Sequence, residues 1–242
     1  MAQSYFIWNG ADCRSKGITM LGAAPIVRPE ERVKHVQIPG RSGDVTETEG
    51  SNIYNSYIQT VSISVRGGYR VREVYRWLRG SGFVTFSGEP DRKQSARVIG
   101  AITLNRVSRN MDQWSGEVQF YCQPLKQLLN EPKVTISSSG TSVRNNGDVI
   151  CSPMWKITVS SGKTSITLSA GGNTIAVTGL PDVYPPYVLY IDSETMEVLN
   201  NSRTELLTVN STGDFPVLAP GANTVTGSNW SSVEIEKRER YL

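Results

Sequence analysis

The feature that most constrains this chain is an alternation of apolar and polar residues with period two, which recurs from one end to the other. In Tyr57-Ile58-Gln59-Thr60-Val61-Ser62-Ile63-Ser64-Val65, positions 57, 61, 63 and 65 fall on one face. The same spacing appears in Val118-Gln119-Phe120-Tyr121-Cys122, Trp155-Lys156-Ile157-Thr158-Val159, Ile166-Thr167-Leu168 and Val233-Glu234-Ile235. Successive side chains of a strand point to opposite faces, so each segment predicts a half-buried strand. The 22 glycines and 12 prolines supply the turns that many short strands need. The fold class expected is all-β with one short helix.

That helix is expected at about residues 71–79, where Val71, Val74, Tyr75 and Leu78 lie at i, i+3, i+4 and i+7 before Gly80-Ser81-Gly82. Residues 31–49 read as a hairpin of two polar arms around Pro39-Gly40-Arg41-Ser42-Gly43-Asp44. Pro39 sets φ for a turn, and Gly40 and Gly43 admit positive φ. Polar arms of this kind have little to bury by themselves, so the hairpin is expected to project and to gain its burial from a neighbouring subunit. The stretch from Pro124 to Pro132 breaks the alternation, which places a boundary between domains at 1–131 and 132–242. Beyond it, Asn145-Asn146-Gly147 reads as a turn, and short strands follow as in a sandwich or jelly roll.

The residue inventory argues against the common catalytic chemistries. Nucleophilic triads need an imidazole base, and the one histidine, His35, lies in the projecting arm. Gly162-Lys163-Thr164 fails as a phosphate loop because Ile157 stands where its first glycine belongs; Ser160-Ser161-Gly162-Lys163 reads as a hairpin turn. Asp192-Ser193-Glu194 lacks the rest of a calcium loop, and no carboxylate pair marks a glycosidase. Cys13, Cys122 and Cys151 are too few and too far apart for a disulfide framework or zinc site and are expected as reduced thiols, Cys122 as a buried strand residue. No enzyme, metal or cofactor is expected. The asparagine triplets at Asn200, Asn210 and Asn229 matter only for a secreted chain. The amino terminus shows no basic and apolar leader, and no apolar run is long enough for membrane insertion.

Charge is uneven. Residues 1–131 carry 17 Lys/Arg against 12 Asp/Glu, and residues 132–242 carry 8 against 10. Much of the basic excess (Arg66, Arg70, Arg72, Arg76, Arg79) reads as dispersed, not interleaved with aromatics on a platform. A solvated or subunit-facing surface is therefore expected, without sequence-specific nucleic-acid recognition.

Several motifs taken in order resemble a family. Phe6-Ile7-Trp8-Asn9-Gly10 with Gly17-Ile18, the Ile38-Pro39-Gly40-Arg41-Ser42-Gly43-Asp44 turn, Trp77-Leu78 and Phe120-Tyr121-Cys122-Gln123-Pro124 occur as they do in siphophage distal tail (Dit) proteins. Asn145-Asn146-Gly147 to Pro153, Tyr190-Ile191-Asp192 and the run from Gly213 to Thr224 continue the likeness. It departs at Ser42, where the family often carries an acid; here the acid is Asp44.

The resemblance implies an amino-terminal β-sandwich with a projecting hairpin, assembled as a hexameric ring around a channel for the genome, and an outward-facing carboxy-terminal galectin-like sandwich. Implied partners are the tail tube protein, the tail tip or tail-associated protein, the tape-measure protein and receptor-binding proteins. The implied location is the virion tail tip, after synthesis in the host cytoplasm. His35, Ile38, Pro39, Gly40, Arg41 and Asp44 are the candidate subunit-interface residues. Galectin-like domains elsewhere bind glycans, so Tyr184, Tyr187, Tyr190 and Trp230 are candidate contacts for sugar or protein, against a competing role as sandwich core. A carbohydrate-binding adhesin is the alternative function.

Overall fold

A computed structural model of the chain describes residues 3–48, 50, 53–107, 111–183 and 186–242. The chain divides into two compact units, meeting at Leu129 and Asn130. The first contains β1 (Phe6–Trp8), β2 (Ala11–Asp12), β3 (Ile18–Met20), β4 (Val33–Gln37), β5 (Asp44–Thr48) and β6 (Tyr57–Arg66). The helix α1 (Gly68–Trp77) follows, then β7 (Ser81–Phe86), β8 (Arg92–Ile99), β9 (Leu104–Arg106) and β10 (Gln113–Leu128).

Eight of these strands form one antiparallel sheet in the order β2-β1-β7-β8-β10-β6-β3, with β9 also on β10. In a flat sheet β1 and β10 would stand about 14 Å apart, three strand spacings. The Phe6 and Phe120 ring centroids are 5.5 Å apart, and Trp8 and Phe120 are 5.4 Å apart. The sheet therefore folds over on itself, and the amino-terminal sandwich is made from a single hydrogen-bonded sheet. Phe6, Trp8, Phe86 and Phe120 fill its interior, and Trp77 of α1 stacks on Phe6 at 5.7 Å.

The alternation places its side chains as expected. Val61, Ile63 and Val65 of β6 and Val118, Phe120 and Cys122 of β10 are buried, and burial pushes the Cys122 thiol up to about 12. The other two cysteines are also buried and free.

In the first unit the sequence reading and the structure differ at two places. Pro124 does not end β10. The strand shifts register against β8 between Cys122 and Lys126, and proline is tolerated at such a bulge because no ladder bond needs its missing N–H. The Gln123 carbonyl there is taken up by the Gln94 side-chain amide, whose oxygen accepts from the Tyr57 hydroxyl at 3.0 Å. Helix α1 starts three residues before the expected position because its cap is remote in sequence. Both carboxylate oxygens of Asp112 accept from the Gly68 N–H, at 3.0 and 2.9 Å, and an acid at a helix amino terminus also satisfies the macrodipole. Those bonds hold the exposed Asp112 carboxyl below its ordinary range.

The second unit contains β11 (Val134–Ile136), β12 (Thr141–Asn145), β13 (Met154–Val159), β14 (Ile166–Ala170) and β15 (Asn173–Val177). It continues with β16 (Val188–Asp192), β17 (Glu197–Leu199), β18 (Ser211–Gly213), β19 (Gly221–Ser228) and β20 (Trp230–Glu236). Two five-stranded antiparallel sheets, β11-β20-β13-β16-β17 and β12-β19-β14-β15-β18, share one core that includes Trp155, Ile157, Leu168, Ile191, Val233 and Ile235. This is a β-sandwich. The turn at Ser160–Lys163 exists, with the Lys163 N–H donating to the Ser160 carbonyl, but it carries the chain from one sheet to the other and closes no hairpin.

Phe120 sits where both parts of the first sheet meet. Phe120→Ala is expected to lower the stability of the first unit by about 3–5 kcal/mol, read as an earlier urea transition for that unit with the second unit's transition unmoved.

Candidate functional site

The candidate interface arm is the two-stranded ribbon β4–β5, which among the described residues pairs with no other strand. Val33 pairs with Thr48, Lys34 with Glu47, His35 with Thr46, Val36 with Val45 and Gln37 with Asp44. Its root is tied to the residues before β6: the Arg32 N–H donates to the Ile53 carbonyl at 2.8 Å, and the Asn55 N–H donates to the Glu30 carbonyl at 2.8 Å. The tip is a type II turn. The Arg41 N–H donates to the Ile38 carbonyl at 3.1 Å, Pro39 takes the first central position, and Gly40 takes the second at φ 82°.

No residue of the ribbon is buried. His35 is exposed and shares a 3.3 Å contact with the Thr46 hydroxyl across the strands. Register divides the ribbon into two faces. One carries Val33, His35, Gln37 and Thr46; the other carries the Val36–Val45 pair with Lys34 and Glu47, and Ile38, 43% exposed, lies just beyond it. The structure thus gathers His35, Ile38, Pro39, Gly40, Arg41 and Asp44 on one exposed arm. An isolated two-stranded ribbon is marginal in water, and both outer edges leave backbone donors and acceptors open.

The aromatic candidates fare differently. Tyr184 lies outside the described residues. Tyr187 is half-buried against the core of the second unit, and its hydroxyl is pushed up by burial and by the nearby Glu205. Trp230 is a core residue, 8% exposed, opposite Val159. It is no platform for a sugar ring and takes the competing role, that of sandwich core. Its indole fills space that Gly227 leaves open, since a Cβ on Gly227 would stand 2.6 Å from the indole nitrogen. Trp230→Ala is accordingly expected to cost the second unit about 3–5 kcal/mol in urea unfolding, a loss of stability in place of a selective loss of binding.

Sequence reading missed a polar network just beyond β20. The buried phase of Val233 and Ile235 continues through Lys237, Glu239 and Tyr241. The signal was present as unbroken period two, masked because the inward residues are charged. Glu239 receives the Asn146 N–H at 2.8 Å, the Tyr241 hydroxyl at 2.6 Å and the Lys237 ammonium, while Lys237 also donates to the Arg144 carbonyl. On the outward phase, Arg238 grips both oxygens of Asp192 at 2.7 and 2.9 Å, and Arg240 meets Glu194 at 2.9 Å. Asp192 and Glu194, weighed earlier as metal ligands, are therefore arginine partners. Asn145-Asn146-Gly147 has a second role beyond turning. A Cβ on Gly147 would stand 2.6 Å from the Arg240 carbonyl oxygen, so the glycine lets the terminal segment pass.

Burial raises the Asp192 and Glu239 carboxyls, but the hydrogen bonds and cations around them outweigh it and both end below their ordinary values. A folded-state pKa below the unfolded one stabilises above the ordinary carboxylate range, and that stability is lost as the pH falls through the folded values. The second unit is expected to lose stability on acidification below that range. Glu239→Gln should be less stable at neutral pH and show a flatter acid limb in unfolding midpoints measured against pH.

Among the described residues no helix is long and apolar enough to cross a membrane. The two β-sandwiches and the β4–β5 ribbon are the features on which the comparisons bear. Residues 146–241 match the family model described as siphovirus-type tail component, C-terminal domain. The whole chain has the fold of SPP1 Dit, from a crystal structure titled a paradigm of the hub adsorption apparatus in phages infecting Gram-positive bacteria; the TM-score is 0.79 at 18% identity, covering 100% of both chains. A chain of the phage P2 baseplate in its activated conformation with Ca is also similar, with a TM-score of 0.52 at 10% identity, covering 100% of this chain and 99% of that one. No curated protein sequence matches.

Proposed function

We propose that this chain is a structural, non-enzymatic hub of a siphophage tail tip. In this reading six copies form a ring through their first units, enclosing a channel through which the genome passes. The ring joins the tail tube protein to the tail tip or tail-associated protein, beside the tape-measure protein, and the second units serve as a platform for receptor-binding components. The chain is made in the host cytoplasm and ends in the virion. The observation that carries this is the end-to-end agreement with SPP1 Dit, 100% of each chain, together with the tail-component match over the second unit.

The arm supports the oligomeric part of the reading. A ribbon with no buried residue and two open edges gains its stabilising contacts from a neighbour, and one copy's arm on the next copy's body is a heterologous contact of the kind that closes rings. The adhesin alternative loses its main residue, since Trp230 is buried.

The test is to image the purified full-length chain by negative stain beside a variant in which residues 31–49 are replaced by a short Gly-Ser link. Sixfold rings from the intact chain and monomers from the variant are expected. Monomers from the intact chain at high concentration, or the same closed ring from the variant, would overturn the reading.

A further inference from the structure

The arginines that read as dispersed in the sequence are gathered by α1. Arg66, Arg72, Arg76 and Arg79 are all exposed, and among the described residues none is paired with a carboxylate. Tyr69, 71% exposed, and Tyr75, 38% exposed, stand among them. Residues 66–79 carry five arginines against one acid, Glu73. Arg70 is held inward, its guanidinium bonded to the Tyr69 hydroxyl and lying where a Cβ on Gly17 would be. A helix that turns its apolar side to Phe6 thus presents an unneutralised basic and aromatic face to its surroundings.

The arm has the opposite character. Residues 30–49 carry five acids against three bases, and among the described ones Glu30, Glu31, Asp44 and Glu47 are exposed. The face that bears Val36 and Val45 also bears Glu47, with Lys34 across from it, so it offers apolar surface together with a carboxylate. The placement of the two features along β6 decides which copies meet. The arm is rooted beside Tyr54, just before β6 begins at Tyr57, whereas α1 starts two residues after β6 ends at Arg66. Ten strand residues at about 3.3 Å each put roughly 30 Å between these points. An acidic apolar arm at one end of a strand and a basic aromatic helix face at the other are complementary surfaces suited to two different copies.

We infer that the exposed face of α1 is the dock for the β4–β5 arm of a second copy of this chain. Val36, Val45 and Ile38 lie against Tyr69 and Tyr75, and Glu47, on the same face of the arm, lies opposite Arg72 and Arg76. This rests on the oligomeric reading above and adds to it a particular pair of surfaces. The contact is head-to-tail, which closes a ring when the rotation between copies permits. Its ionic part weakens as salt is raised.

The test uses full-length chains in light scattering and negative stain. R72E/R76E and E47R are each expected to abolish the assembled species, and the chain carrying all three changes is expected to regain it. All eight positions named in the contact are unburied, so urea unfolding of each variant should match the parent and exclude misfolding as the cause. Assembly of R72E/R76E at the parent's concentration, or failure of the three-change chain to assemble, overturns the dock while leaving the parent's oligomer intact. If instead the parent stays monomeric, the oligomeric reading falls with it. Binding of duplex DNA by the parent that R72E/R76E loses while still assembling would assign the face to nucleic acid and also overturn the dock.

Discussion

Everything in the first unit depends on closing one sheet around Phe120. A sheet of eight strands has two faces, and a single short helix can cover only part of one. By folding until Phe6 and Trp8 meet Phe120 from across the interior, the sheet supplies its own opposite wall. The long strand β10 makes this possible because it pairs with β6 along its first part and with β8 along its second, with the bulge at Gln123 to Leu125 where the two registers must be reconciled. The buried Gln94 and Lys126 and the half-buried Tyr57 gather there for the same reason: a broken ladder leaves polar groups that must be answered locally.

The second unit solves its burial problem with two separate sheets, and its polar complication lies at the rim. There Lys237, Glu239 and Tyr241 continue inward in step with Val233 and Ile235 but need partners where their predecessors needed only packing. Asn145 is the matching device on the other sheet. It is 2% exposed, and its amide donates to the Val149 and Leu218 carbonyls while its oxygen accepts from the Gly147 N–H. The Asn-Asn-Gly sequence is thus a polar staple as well as a turn.

Much of this was legible in the sequence wherever one physical cause acted over a short span. Period two placed Val61, Ile63, Val65, Trp155, Ile157 and Val233, and the Pro39-Gly40 pair placed a type II turn. What stayed hidden depended on partners remote in the chain. The cap that starts α1 comes from Asp112, and the residue that admits Pro124 to a strand is a register shift set by β8. Trp230 stood between surface contact and sandwich core because its burial depends on Gly227 and the opposite sheet, neither of which a local pattern reveals. The arm's polarity was plain, yet the sorting of its residues onto two faces required the pairing register.

The position of β20 carries a consequence for how the molecule is made. It lies between the edge strand β11 and β13, so an inner place in one sheet is filled by residues roughly a hundred positions away from the edge strand they join. During synthesis the first unit can form its core while the second waits with a gap in that sheet, its β11 and β13 edges unpaired. Such long-range closure is slow compared with local pairing. The second sandwich therefore forms as a late, all-at-once event, and a chain stopped at residue 229 would hold a finished first unit beside an open one.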